Sequence, residues 1–330
     1  MAIEDRKSGV KGKPAVVVLV GATASGKTAV SLPLAERLRA EIISADSRQV
    51  YRFLDIGTAK PSAQDRARVP HHFVDIRNPD EEYSAGAFGS EGREEIGKIL
   101  RRGNTPLVVG GSGLYIQSLV DGFFDGPPAD PEYRAIAMAR LRHEGVEPLL
   151  KELAGVDPDA AAAIDPTKPR RVVRALEVFH TTGTPLSTLQ RERKIEIPFV
   201  PVFFGLDMDR RELYQRINER CDAMLRNGLL EEVEMLAGRG YTSTLNALKT
   251  VGYAETFAYR NGALGYEELV LQFKQNTRRY AKRQLTWFRK DLRIRWVPTA
   301  AGGDPHRLAE AILEAMPPPA SYGNSPASQS

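Results

Sequence analysis

Cysteine is all but missing from these 330 residues. Only Cys221 is present, so an intrachain disulfide and a cysteine-rich zinc site are both excluded. The expected place for that one thiol is a small buried hydrophobe. Long apolar runs are missing too, and none approaches the length that crosses a bilayer. Residues Met1 to Lys13 are polar, mix both charge signs and lack the apolar centre of an export signal. A cytoplasmic chain with no membrane partner is the expectation. No internal repeat is found, and no strong charge imbalance: 46 Lys and Arg stand against 42 Asp and Glu, a formal net charge of +4. What basic character exists is concentrated. Between Arg278 and Arg295, eight Lys and Arg residues stand against one acid, Asp291, with Tyr280, Trp287 and Phe288 interleaved. Such a run suits either a nucleic-acid surface or a solvated helix whose aromatics enter the core.

Among what is present, Gly21-Ala22-Thr23-Ala24-Ser25-Gly26-Lys27-Thr28 fits the phosphate-loop pattern G-x-x-x-x-G-K-[ST] without mismatch. The apolar run Ala15–Val20 before it reads as a buried strand. Val30, Leu34, Ala35 and Leu38 after it recur at helical spacing. Strand, glycine loop and helix together aim backbone N–H groups and a helix dipole at an anion. The glycines keep Cβ atoms out of the way. Lys27 would reach the terminal phosphates and the Thr28 hydroxyl would sit on a magnesium ion. The loop indicates a polyphosphate ligand without specifying which.

The first part alternates in α/β fashion. Strands are expected at Val16–Val20, Glu41–Ser44, His72–Ile76 and Pro106–Val109, with helices between them, notably Ser84–Arg102. Pro33 sits inside the first helix, where it is expected to kink or shorten it. After Gly126 the pattern changes. From Pro131 to about Gln190 the chain reads as helical, with Asp130-Pro131, Asp157-Pro158 and Asp165-Pro166 as helix starts. Phe199–Leu206 reads as a strand returning to the first sheet. Arg210–Leu225 and Glu267–Arg289 are the strongest later helices, with a last strand at Ile294–Val297 and a last helix at Leu308–Met316. The expected fold is α/β: a P-loop NTPase-like parallel sheet covered by helices, with a small all-helical insertion. The core takes residues 14–126 and 196–316, and the insertion takes 127–195. Residues 1–13 are expected to be flexible and 317–330, rich in Pro and Ser, disordered.

Asp46-Ser47-Arg48-Gln49-Val50-Tyr51 follows the second strand. Carboxyl ends of parallel strands face the ligand crevice, so Asp46 lies beside the phosphate loop. Magnesium ligand, general base and cap of the following turn all compete for it. The fourth strand ends in Gly110-Gly111-Ser112-Gly113-Leu114-Tyr115. These small residues permit either close approach to a ligand or packing against a helix. His71 and His72 receive no role. Arg216 and Arg220 share a helix face and could point at one anion.

Taken in order, these segments resemble the tRNA dimethylallyltransferases, the isopentenyl-tRNA transferases of bacteria. The resemblance runs from about Ala15 to about Trp296. It rests on the phosphate loop, D-S-R-Q-V-Y at Asp46–Tyr51, D-I-G-T-A-K-P at Asp55–Pro61, P-H-H-F at Pro70–Phe73 and Y-S-A-x-x-F at Tyr83–Phe88. It continues through G-G-S-G-L-Y at Gly110–Tyr115, R-R-V-x-R-A-L-E at Arg170–Glu177, V-G-Y at Val251–Tyr253 and K-R-Q-L-T-W-F at Lys282–Phe288. Ala22, in place of a common proline, and Lys249-Thr250 depart from the pattern without removing a reactive group. The absence of paired cysteines matches the bacterial form.

The resemblance implies transfer of a dimethylallyl group from its diphosphate to N6 of adenine 37 in the tRNA anticodon loop. The loop residues Gly21, Ala22, Thr23, Ala24, Ser25, Gly26, Lys27 and Thr28, with Arg220 opposite, would hold the donor diphosphate. Asp46 matches the family's base, and Thr23 would lie near the reacting amine. Arg216 does not match the position of the family arginine that Arg220 matches, and is given no catalytic role. Implied tRNA contacts are Asp46, Ser47, Arg48, Gln49 and Ser112. In the insertion they are Arg134, Arg170, Arg171, Val172, Val173 and Arg174. A third group is Lys249, Thr250, Val251, Gly252, Tyr253 and Ala254. The insertion would clasp the anticodon stem. A monomer is expected. The rival from the loop alone is a P-loop small-molecule or nucleotide kinase, and a non-catalytic RNA-binding protein is a further one. A GTP switch lacks its N-K-x-D and D-x-x-G segments.

Overall fold

The computed structural model describes residues 12–122, 126–127, 130–192, 195–300 and 303–316. The expected disordered tail and all but two residues of the expected flexible N-terminus lie outside the described residues. The chain divides into two compact units, one of residues 1–120 and 197–330, the other Asp121–Glu196.

In the larger unit, runs of Val, Ile, Leu and Ala form six strands. They are β1 (Ala15–Gly21), β2 (Ala40–Ala45), β3 (His71–His72), β4 (Thr105–Gly110), β5 (Val200–Met208) and β6 (Arg295–Thr299). All pairings are parallel, in the order β3-β2-β4-β1-β5-β6. Every strand therefore ends on one edge of the sheet, and β1 lies between β4 and β5, with Leu19 level with Val109 and Phe204. The period-2 alternation of a strand sends Val17, Leu19, Ile42 and Leu107 to one face and Val16, Val18, Ile43 and Val108 to the other. Both faces are buried, as an all-parallel sheet requires.

Helices cover both faces of this sheet. The first are α1 (Lys27–Leu38), α2 (Ala63–Arg68), α3 (Ala85–Arg101) and α4 (Gly113–Gln117). Five more belong to the smaller unit: α5 (Pro131–Glu144), α6 (Glu147–Val156), α7 (Pro158–Ala163), α8 (Pro169–Thr182) and α9 (Leu186–Glu192). The larger unit continues with α10 (Arg210–Arg226), α11 (Leu229–Gly238), α12 (Tyr253–Arg260), α13 (Tyr266–Phe288) and α14 (Pro305–Glu314). Val30 and Leu34 of α1 and Ala309 and Ile312 of α14 cover one face; Phe88 and Ile96 of α3 and Ile217 of α10 belong to the core on the other. The helix expected to suffer from Pro33 runs through it to Leu38, with the ring buried.

Two expectations need correction. The strand expected at His72–Ile76 is only His71–His72. Phe73 and Asp75 take left-handed φ of +64° and +59°, which no strand accommodates. The Asp75 carboxylate instead binds Lys60 Nζ at 2.6 Å and Arg66 Nη1 at 2.8 Å. In the helical unit, Asp130 and Asp157 cap α5 and α7 as expected, accepting the N–H of Tyr133 and Ala160. Asp165 starts no helix. Its carboxylate closes a turn on Thr167, and α8 begins at Pro169. That unit has its own apolar core, with Leu149, Leu153, Val172 and Leu176 buried.

Candidate active site

β1 delivers Gly21 to the carboxyl edge, and the loop turns there. Ala24 takes φ +64° and Gly26, the N-cap of α1, takes φ +96°, a region costly for any residue bearing a Cβ. Lys27 folds back over the loop. Its ammonium donates to Gly21 O at 2.9 Å and Ala22 O at 2.7 Å. Ser25 Oγ is buried and has no hydrogen-bond partner among the described residues. A cradle with an idle hydroxyl and a lysine bonded to its own carbonyls is arranged for an anion.

The surrounding charges support this. Withdrawal from water and the nearby Arg220 guanidinium bring Lys27 down to a pKa of about 7, with Asp46 acting against them. Burial also depresses Arg220, and the Asp46 carboxylate opposes it. Lysine, arginine and aspartate thus converge on one cavity of about 360 Å³, which Thr23, Lys27, Thr28, Asp46, Arg216 and Arg220 help to line. Arg216, given no role by resemblance, lies against the loop: a Cβ built on Gly26 would be 3.8 Å from its Nη2. Cys221, buried as expected, also borders this cavity, with Sγ 3.5 Å from Thr277 Oγ1.

Asp46 is held by the turn it precedes. Its Oδ1 accepts from Arg48 N at 2.8 Å and Gln49 N at 3.4 Å. Capping and facing the cavity are therefore both true of it. The Gln49 amide is engaged inside the unit, with Ser44 Oγ and the carbonyls of Thr58 and Ala59. His71, its pKa lowered by burial, lines the cavity with Nδ1 on Val69 O at 2.8 Å, while His72 pairs with Glu41 at 2.7 Å.

A second cavity of about 390 Å³ adjoins the first. Arg48, Gly111, Tyr280 and Gln284 line both. Ser47 and Ser112 line the second and are joined by a bond from Ser47 N to Ser112 Oγ at 3.0 Å. The glycine turn after β4 is packed, and its Gly110 and Gly111 also line the first cavity. A Cβ on Gly110 would lie 2.1 Å from Ala45 O, one on Gly111 2.3 Å from Gln284 Nε2, and one on Gly113 2.3 Å from Trp287. Helix α13 occupies the room that Gly111 and Gly113 leave.

Several residues expected to touch RNA are packed instead. Tyr253 is fully buried; its hydroxyl donates to Glu232, and its ring fills the space above Gly57. Glu232, which no motif marked, also accepts N–H groups from Asp55, Ile56 and Gly57 and so fixes the wall formed by Asp55–Pro61. Gly252 is buried as well, whereas Lys249 and Ala254 are exposed and Thr250 and Val251 line the first cavity. In the helical unit Val172 and Val173 are buried in its core. Arg134 and Arg174 are tied to Glu177, wholly buried, at 2.9 and 3.0 Å. Arg170 and Arg171 are both exposed, and neither is drawn into that carboxylate.

Comparison with known proteins agrees with this architecture. The IPP transferase family model matches residues 49–291, and the isopentenyl transferase model matches residues 14–82. The tRNA dimethylallyltransferase of Bacillus subtilis is 46% identical over 285 residues, 86% of this chain and 90% of that one. The tRNA dimethylallyltransferase 1 of Trichlorobacter lovleyi is 47% identical over 286 residues, 86% of this chain and 94% of its own. Among solved structures, the tRNA isopentenylpyrophosphate transferase of Bacillus halodurans matches with a TM-score of 0.67 and 40% identity over 92% of this chain and 96% of that one. A eukaryotic dimethylallyltransferase acting on tRNA matches at a TM-score of 0.72 and 29% identity, over 86% and 74%. With a family model spanning most of its length and near-full-length relatives at this identity, the chain belongs to the tRNA dimethylallyltransferase family.

Proposed function

We propose that this protein transfers the dimethylallyl group of dimethylallyl diphosphate to N6 of adenine 37 in the anticodon loop of tRNA. It would act as a cytoplasmic monomer with no membrane partner. The observation that carries the reading is the pair of adjoining cavities, one cationic around the phosphate loop and holding Asp46, and one bordered by Tyr83, Tyr115 and Trp287. Asp46 lines the first, Ser47 the second, and Arg48 both.

Breaking the allylic C–O bond leaves negative charge on the departing diphosphate. Loop N–H groups, Lys27, Arg216 and Arg220 would stabilise it. The adenine amine is a weak nucleophile because its lone pair is delocalised into the ring. Asp46 would take its proton as the N–C bond forms, an effect worth ~10²–10⁴ in rate. Thr23 would orient the amine. The adenine must leave its stack, which favours a loop over a duplex. Magnesium would suit the oxygen donors here, since the Thr28 hydroxyl side chain borders the cavity. Thr28 would hold the ion together with diphosphate oxygens, and the ion would neutralise charge on the leaving group. In the helical unit, Arg170 and Arg171 suit phosphate contacts to the anticodon stem.

The kinase alternative is disfavoured by the near-full-length relatives, which are tRNA dimethylallyltransferases. The test is mass analysis of tRNA nucleosides after incubation with protein, magnesium and dimethylallyl diphosphate. A dimethylallyl adduct on adenosine is expected. Unmodified tRNA, with ATP consumed against a small acceptor in a parallel reaction, would replace this reading by the kinase.

A further inference from the structure

Gln284 stands at the meeting point of the two cavities without contributing a charge or a nucleophile. It is 7% exposed and lies in the second half of α13. Its Oε1 accepts from the backbone N–H of Thr23, in the phosphate loop, at 2.8 Å. Its Nε2 donates to Gly111 O, in the turn after β4, at 2.9 Å. One carboxamide therefore ties together the ends of two adjacent central strands. Both bonds have a fixed sense, donor to carbonyl and acceptor to N–H, so the amide has one orientation. The room it occupies exists because residue 111 has no Cβ.

The same helix face carries the second cavity. Tyr280, Arg283, Gln284 and Trp287 fall at i, i+3, i+4 and i+7, and all four line it. Trp287 also packs into the room that Gly113 leaves, and Tyr280 bonds the Gln284 side chain, while Gln284 grips the loop that cradles the first cavity's anion. Thr23, in turn, lines the first cavity.

We infer that Gln284 is a positioning residue for transfer: its carboxamide fixes Thr23 against Gly111 and so sets the alignment of the donor held by the loop with the acceptor held by α13. This rests on the donor and acceptor reading given above. Alignment of two reactants is where small displacements cost most, with about 1 Å worth up to roughly 10²-fold in rate. Gln284 bonds Thr23 N–H and Gly111 O and not Lys27, Arg216 or Arg220, so its loss leaves the cations around the diphosphate in place, and the only loop donor it engages is the Thr23 N–H. Its loss should therefore appear in the transfer step and not in the binding of either substrate.

The experiment compares Gln284→Met, which fills the volume without either bond, with Gln284→Glu, which keeps the acceptor for Thr23 N–H and sets an oxygen against Gly111 O. Single-turnover transfer to an anticodon stem-loop is measured beside the dissociation constants of the RNA and of a non-transferable thio analogue of the donor. Expected is a fall of about 10²-fold in the single-turnover rate for Gln284→Met, with both dissociation constants within about threefold. Gly111→Ala, whose Cβ displaces the amide, should reproduce the defect, and the Gln284→Met/Gly111→Ala double variant should add little to it. Normal single-turnover rate in Gln284→Met would overturn the inference, as would a donor affinity that falls as far as the rate. If Gln284→Met does not fold, the same criteria apply to Gln284→Glu. Failure of the unsubstituted protein to transfer at all in this assay would instead sink the parent reading.

Discussion

Oδ1 of Asp46 accepts the N–H groups of Arg48 and Gln49, so an Asn at this position still offers an oxygen to the turn. Asp46→Asn therefore removes the basic carboxylate while leaving the loop shape. Transfer should slow by ~10²–10⁴ with tRNA binding retained, and a filter-binding assay beside single-turnover kinetics separates the two. Lys27 gives a pH signature. Its proton is held to about 7 in the folded loop, against its ordinary value near 10.5 in the unfolded chain. Between these values the unfolded state binds more protons, so the stability of the ligand-free protein should rise with pH across that window. A bound diphosphate favours the ammonium and reverses the preference, so pyrophosphate affinity should fall as pH climbs above about 7. Calorimetric titration in buffers of different ionisation enthalpy should record proton uptake on binding there, and Lys27→Ala should abolish it. These residues could be read from the sequence because loop, lysine and aspartate are local motifs. Gln284 lies in the K-R-Q-L-T-W-F motif, but its role could not be read there: Thr23 and Gly111 lie 261 and 173 positions away in the chain, and only the packed fold joins them.

Elements divide the same way. β1, the phosphate loop and α1 follow from a short apolar run, glycines and helical spacing. The bounds of β3 did not, because Val74 and Ile76 keep the apolar pattern while Phe73 and Asp75 turn the backbone left-handed. The motif Asp55–Pro61 was legible as a motif and opaque as a structure. Its fixed point is Glu232 on α11, which receives three consecutive N–H groups and the Tyr253 hydroxyl. Glu232→Gln replaces one acceptor oxygen by a donor aimed at other donors. A destabilisation of roughly 2 kcal/mol in urea-induced unfolding is expected, and hydrogen exchange at Ile56 and Gly57 should accelerate. Faster exchange confined to α11 would assign Glu232 to that helix alone.

At the scale of the molecule, charge distribution matters more than the net +4. The helical unit spends Arg134 and Arg174 on a buried carboxylate and leaves Arg170 and Arg171 out of that pairing, so cations on one short stretch of α8 serve different ends. Replacing Arg170 and Arg171 by Ala should weaken tRNA binding and flatten its salt dependence, the log–log slope falling by about one for each phosphate no longer neutralised. An unchanged slope would count against RNA binding there. The insertion also has a bearing on biogenesis. β1 pairs on one side with β4 and on the other with β5, yet Asp121–Glu196 is encoded between those two partners. On the ribosome the central strand is therefore made early and completed late. One of its edges stays bare until the helical segment has emerged in full, and the nascent chain carries an exposed strand edge, a template for mispairing, for that whole interval.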